Sequence, residues 1–307
     1  SGTAKSLWAQ TYLFRSDLAK VVELCNQVIT SGQYRLDESF TDIFKDGLNG
    51  AGKNGPESIF EMQALVGSNG TPNFDNGGWG TSQNVRQGGA STTWNLGWGW
   101  NVPTQKLQDA WDPTDPRKAA TILYSGQSDG GPATGGYGAT LPPYNPGVAL
   151  DQPYWNKKVY SDPQMRDFTG QVGPAGAAGW INHRIIRYAD ILLMLAEASN
   201  ELGDGSTAET MLEKVRARAR GTSSALPFIA YQNQNQMRTA IKNERRWEFA
   251  MEGYRFYDLV RWTPSGDGID ANSALGPLGY TPRNALYPIP QPAIDLSGGV
   301  LEQNPNY

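Results

Sequence analysis

Residues Glu244–Trp262 read ERRWEFAMEGYRFYDLVRW. Four arginines and four acids are crowded among aromatics here, with Gly253 in the middle. Glu244, Glu248 and Glu252 recur every four residues, so on a helix they share one face. Ala240, Ile241, Trp247 and Met251 are spaced to form an apolar stripe on another face. Gly253 is placed to end that helix, because glycine enters the left-handed region without steric cost. Tyr254 to Trp262 then predicts a second short helix with Tyr257 and Val260 facing inward. Each glutamate has Arg245, Arg246, Arg255 or Arg261 nearby in sequence, and Asp258 reads the same way. A glycosidase needs two acids across a cleft. An acid paired with arginine is instead held ionised and makes a poor general acid. The stretch therefore predicts an architectural clamp, and no catalytic residue is assigned.

Helical hairpins are predicted on both sides of the chain. In residues 3–31, Leu7, Trp8, Tyr12 and Leu13 form a stripe that Arg15 and Ser16 interrupt. Asp17 can cap a second helix carrying Leu18, Val21, Val22, Cys25, Val28 and Ile29. Residues 182–220 read similarly, with a helix opening near Ile181 and His183, a turn at Gly203–Ser206 and a basic second helix. Two such pairs suggest a tetratricopeptide-like scaffold. Between them the sequence turns to loops. From Leu65 to Gln105 only Asp75 and Arg86 are charged, while glycines and tryptophans recur. Residues 122–179 are comparable, and Lys157, Lys158 and Tyr160 read as a strand. The tail after Trp262 is rich in Pro and Gly and is expected to wrap the scaffold in an extended form.

The net charge of −4 and the pI near 5.2 argue against a nucleic-acid partner, which needs a basic footprint. No apolar run is long enough to span a membrane. Cys25 is the single cysteine and reads as a small buried helical residue. His183 is the single histidine, too little for a histidine-rich metal site. No cofactor motif or metal site is found; a calcium ion in the loops stays an open alternative.

A neutral ligand, such as a sugar, is compatible with this charge. A sugar has apolar C–H faces and a rim of hydroxyls, which flat aromatics and planar polar side chains grip together. Trp79, Trp94, Trp98 and Trp100 are interleaved with Asn73, Asp75, Asn76, Asn84, Arg86 and Gln87. Tyr144, Tyr154 and Trp155 are further candidates. The residues leave two roles open for each indole, anchoring the loop from inside or stacking a sugar from outside.

The motifs also resemble a family. Glu244, Arg245, Trp247, Glu248, Phe249, Glu252, Gly253, Arg255, Asp258, Leu259, Arg261 and Trp262 are similar to the signature of the SusD/RagB family. Arg187–Asp190 with Ala196–Ala198 resembles its "RYAD…AEA" helix, and Pro103–Arg117 its "PT..L.D…DPR" segment. Glu57–Glu61 resembles an "ESIFE" strand, and Pro288–Pro290 with Gln303–Tyr307 the closing "PIP…QNPxY". The resemblance implies a mainly α, SusD-like fold, a tetratricopeptide-like helical scaffold with long irregular loops and short strands. It implies a cell-surface, outer-membrane lipoprotein that binds oligo- or polysaccharide without catalysis. Its partner would be a SusC-like TonB-dependent transporter. Such proteins usually begin with a lipoprotein signal and a long helical half, so the resemblance implies the C-terminal portion, anchored through a part absent here. Trp98 and Trp100 run into the family's "PT..L.D" segment, which favours anchoring. Trp79 and Trp94 lie in the least family-like stretch, where a ligand loop is expected.

The expected organisation is a helical hairpin with a short strand (1–64), a loop-rich ligand region (65–180), a helical scaffold with the signature (181–262) and an extended wrap (263–307). The expected glycan site comprises Trp79, Trp94, Trp98, Asn76, Asn84, Arg86 and Tyr144. Glu244, Arg245, Glu248, Glu252, Arg255, Asp258 and Arg261 are assigned to structure. Three other readings compete: an oligopeptide-binding uptake subunit of the same fold, a polysaccharide-active enzyme, and a repeat-type adapter that binds peptide in a groove.

Overall fold

The structure, a computed structural model, describes residues 1–45, 52–64, 78–87, 93–163 and 181–307. It divides into two compact units, Ser1–Glu252 and Gly253–Tyr307. The stretch expected to form a separate ligand region, where described, folds inside the first unit.

The scaffold begins as the spacing predicts. Helices α1 (Gly2–Phe14) and α2 (Leu18–Thr30) form a hairpin, and Asp17 caps α2 by accepting a hydrogen bond from Lys20 N–H. Val21, Leu24, Cys25 and Val28 are buried at helical spacing. In α1, however, Ser6, Ala9 and Leu13 turn inward, while Leu7 and Trp8 are exposed. Short side chains at Ser6 and Ala9 admit the neighbouring backbones; the larger residues are left outside the contact.

Strand β1 (Ser58–Met62) pairs antiparallel with a strand at His183–Arg187. The helix expected to open near His183 therefore starts later, at Tyr188. The two β-branched isoleucines of HRIIR suit a strand, and burial alternates from His183 to Ile186. Helix α3 spans Trp79–Gln83, α4 Gln105–Ala110 and α5 Pro116–Thr121. Strand β2 (Ile122–Tyr124) pairs antiparallel with β3 (Tyr154–Asn156). The strand foreseen near Lys157–Tyr160 stops at Asn156. There the Asn156 side chain accepts from Lys158 N–H and starts a 3-10 turn over Lys157–Val159.

After β4 (His183–Arg187), helix α6 (Tyr188–Glu201) is the centre of the unit. It packs against α1 and α2 and is buried on every side from Tyr188 to Asn200. Helix α7 (Gly205–Arg220) follows a turn in which Gly203 has φ +87° and Asp204 caps the helix. Helix α8 (Gln234–Glu248) lies against both. It ends earlier than foreseen, so Glu252 sits in the turn beyond it, next to Met251 with φ +69°.

The second unit is a set of short helices rather than an extended wrap. Helix α9 (Arg255–Trp262) and α10 (Ala271–Leu275) share a core of Leu259, Trp262 and Ala271, and α11 (Gln291–Leu296) follows. Tyr257, expected inward, is half exposed, because Leu259 and Trp262 occupy the inner face.

Candidate functional site

The signature glutamates converge on cations from four other segments. Glu244 accepts hydrogen bonds from Arg117 and Arg216, and Glu248 from Arg117, Arg187 and Arg218. Glu252 receives Arg187 Nε and Nη2, each at 2.8 Å, and Lys158 Nζ at 2.6 Å. Glu57 on the approach to β1 binds Arg187 and Arg218, and Asp115 binds Arg117. Arg117, Lys158, Arg187, Arg216 and Arg218 thus face Glu57, Asp115, Glu244, Glu248 and Glu252, so the buried charge balances. Phe40 and Phe44 lie under Lys158, and Phe249 under Arg187. Burial alone would raise the Glu248 carboxyl, but Arg218, Arg187 and Arg117 hold it well below the carboxylate range. Burial lowers Lys158 to about 8.

The clamp expected from the sequence is present, and Asp258 does pair with its neighbour Arg261 at 2.8 Å, but Glu244, Glu248 and Glu252 take their cations from elsewhere, while Arg245 pairs with Asp190 at 2.7 Å. Adjacent positions on a helix point in different directions, so Arg245 cannot serve Glu244. Glu248 and Glu252 are held below the ordinary carboxylate range by these cations, and each of their carboxylate oxygens accepts from a buried guanidinium.

A different surface is built from the polar loops. Val85, Leu96, Leu123, Leu141, Leu150, Trp155 and Tyr160 form a core beneath them, with Trp94 packed half-buried against it. Residues 96–100 run along α3 and the strand-like segment after it. Leu96 and Gly97 N–H donate to Val85 O, Trp98 to Thr81 O, Gly99 to Asn84 O and Trp100 to Ser82 O. Gly97 is needed for this approach: a Cβ there would lie 2.3 Å from Thr81 O. Gly99, at φ +68°, sits against Trp155 and Arg86. Trp98 and Trp100 emerge on either side of it, 44% and 58% exposed, with ring centroids 4.9 Å apart and planes at 60°.

Polar groups flank the pair. Arg86 makes an ion pair with Asp151 that stays partly exposed. Gln87 bridges Leu150, and Leu150 bridges Tyr144, whose ring is 54% exposed. Bridges between backbones thus bring Arg86, Asp151 and Tyr144 to one part of the unit.

The other candidates have different roles. Trp79 lies flat on His183, centroids 3.7 Å apart and planes at 11°, so one face of each ring is occupied. Asn84 is fully buried; its amide donates to Val159 O and Ser161 Oγ, and its oxygen accepts from Val85 N–H. It holds the loop core and has no exposed atom for a ligand. Asn76 lies outside the described residues. The tryptophans that the sequence favoured for anchoring, Trp98 and Trp100, are the exposed ones. The signal for this was the alternation Gly97-Trp98-Gly99-Trp100, in which each glycine lets the backbone press inward and leaves the indoles outside. Asp151 was not foreseen as the partner of Arg86.

The SusD/RagB family model, described as the SusD family, matches residues 56–307. The chain belongs to the SusD family. Over 99% of its length it is 28% identical to SusD-like protein P2 of Formosa agariphila, of which it spans 59%. A solved structure named laminarin binding SusD-like protein superposes over 100% of this chain and 62% of its own, with TM-score 0.70 and 27% identity. Surface glycan-binding protein A from Bacteroides thetaiotaomicron, in complex with laminarihexaose, matches with TM-score 0.70 and 25% identity. It is covered over 63% of its length by 99% of this SusD-family chain. Like these relatives, the chain is a helical scaffold carrying irregular loops, and among its described residues no helix is long and apolar enough to cross a membrane.

Proposed function

We propose that this SusD-family chain is the glycan-capturing, non-catalytic part of an uptake protein displayed at the outer membrane. It would hold an oligo- or polysaccharide and pass it to a SusC-like TonB-dependent transporter. The observation that carries this reading is the exposed Trp98–Trp100 pair, on a segment held by five backbone hydrogen bonds, with Arg86 and its partner Asp151 beside Gly99. Indoles stack on the C–H faces of a sugar, and the adjacent guanidinium and carboxylate supply a donor and an acceptor for its hydroxyls. The laminarin and laminarihexaose named for two structural relatives support the same class of ligand. No cofactor is called for. Family membership supports the surface location, the lipid anchor and the transporter.

Each exposed stack or hydrogen bond contributes only about 1 kcal/mol net, so capture is weak and reversible, as delivery requires. Affinity electrophoresis of the purified chain in gels containing plant, host and microbial polysaccharides tests the reading. Retardation by at least one glycan is expected, with Trp98→Ala or Trp100→Ala reducing it by about tenfold, the scale of one aromatic contact. No retardation by any glycan, with the circular dichroism of a folded protein, would overturn the proposal.

A further inference from the structure

We infer that a cavity beside strands β1 and β4 is a second binding site, which takes a small molecule carrying one primary ammonium on the Asp37 carboxylate. The inference is independent of the glycan-capture reading, since none of the lining residues belongs to the Trp98–Trp100 surface.

The cavity measures about 370 Å³, within the range of about 300–1,000 Å³ typical of small-molecule sites. Its lining comes from residues 37–45, from residues 52–61 ending in β1, and from Arg184 and Arg187 on β4. Asp37 Oδ2 lies against Gly55, where a Cβ would stand 3.3 Å from it. Glycine at position 55 thus leaves room around the carboxylate.

The charges of the lining are matched except at Asp37. Lys45 pairs with Asp42 at 2.5 Å. Arg184 lies 3.9 Å from Glu61 and donates to Asn182 O and Gly52 O. Arg187 is engaged by Glu57, Glu248 and Glu252. Arg218, the other guanidinium that acts on Asp37, is bound by Glu57 and Glu248. No lysine or arginine among the described residues makes an ion pair with Asp37. Its backbone N–H instead donates to Glu57 Oε2 at 3.1 Å, which sets a second carboxylate nearby. Burial first, and then Glu57, raise the Asp37 carboxyl above its ordinary value, and together they outweigh Arg218 and the Glu57 N–H. A half-buried carboxylate so placed gains from a cation that can reach it.

The cation that fits is an ammonium. A metal ion needs several converging oxygens, and among the described residues no group of three or more Asp, Glu, His or Cys side chains is placed to hold one. An ammonium has three N–H donors and needs only one charged acceptor among neutral ones. Ser58, also in the lining, offers a hydroxyl oxygen. Lys45 and Arg184 disfavour a second positive charge on the ligand, and their N–H groups suit hydroxyls instead.

The test titrates the purified chain by calorimetry with glucosamine, cyclohexylamine and glucose. The first two carry an ammonium; glucose is the neutral counterpart of glucosamine. At least one amine is expected to bind about tenfold or more tighter than glucose, the scale of one charge-assisted hydrogen bond. Tighter binding of glucosamine would mark an amino sugar as the ligand, and tighter binding of cyclohexylamine a simple amine; either supports the inference. Asp37→Asn keeps the shape and removes the charge, so it should abolish the preference. The thermal midpoint of the ligand-free variant should be no lower than wild type, because no ion pair is lost, and its retardation by polysaccharide should be unchanged. Equal binding of glucose and both amines, binding of none of the three, or a preference that survives Asp37→Asn would overturn the inference and leave glycan capture standing. A midpoint well below wild type would assign Asp37 to the fold and overturn it as well.

Discussion

Glu248 shows how a single residue organises this protein. It accepts from Arg117, Arg187 and Arg218 at once, inside a cluster whose side chains are nearly all sealed from solvent. Glu248→Gln would leave those guanidinium groups short of a charge in a buried site. The expected cost is about 3–5 kcal/mol, read as a lowered midpoint in guanidinium chloride unfolding. The same residue governs acid stability. Its folded carboxyl, with that of Glu252, lies below the ordinary value, so the unfolded chain binds protons first as pH falls. The stabilisation is complete at neutral pH and is lost progressively below about pH 5, as the solution passes the ordinary carboxylate range toward the depressed folded values. Thermal midpoints measured between neutral and acid pH should fall in that window, and a flat profile would contradict the assignment.

Among the elements, the short strap at residues 96–100 matters most for function. Its hydrogen bonds run to α3 and the segment after it, and its glycines make that approach possible. An alanine at position 99 would adopt a left-handed conformation that costs an L-residue roughly 1–2 kcal/mol. Its Cβ would also stand 2.9 Å from the Trp155 ring. Gly99→Ala should therefore lower the thermal midpoint modestly and weaken glycan retardation while leaving both tryptophans in place. Unchanged retardation would mean that the backbone placement of this strap does not matter to the ligand. The hairpin α1–α2 was legible because its capping aspartate and apolar spacing are local properties. The strand at His183–Arg187 was less so: a short HRIIR run suits helix or strand, and its partner SIFEM lies far away in sequence.

In the first unit, the cations and carboxylates gathered around Glu248 are buried, while among the described residues the exposed Trp98–Trp100 pair has the partly exposed Arg86–Asp151 ion pair beside Gly99. Glycan retardation should therefore change little when salt is raised from about 0.1 M to about 1 M, although screening shortens the Debye length from about 10 to about 3 Å. A strong loss over that range would point to an ionic ligand and against stacking. The organisation of the units also differs from a reading along the chain. Polar loops built on Val85, Leu96, Leu150 and Trp155 share a unit with the helices, since residues distant in sequence supply one apolar interior.

The sequence by itself determined the α1–α2 hairpin, the buried Cys25 and the family signature. Each of these depends on spacing along one helix or on residue type. Only the tertiary structure decided which cations meet Glu244, Glu248 and Glu252, because those partners arrive from segments far apart in the chain. It alone decided that Asn84 is buried, that Trp79 is occupied by His183 and that Trp98 and Trp100 face solvent. The physical reason is common to all three. An aromatic or amide side chain is equally suited to a core or a ligand, and which it joins depends on the backbone that packs against it.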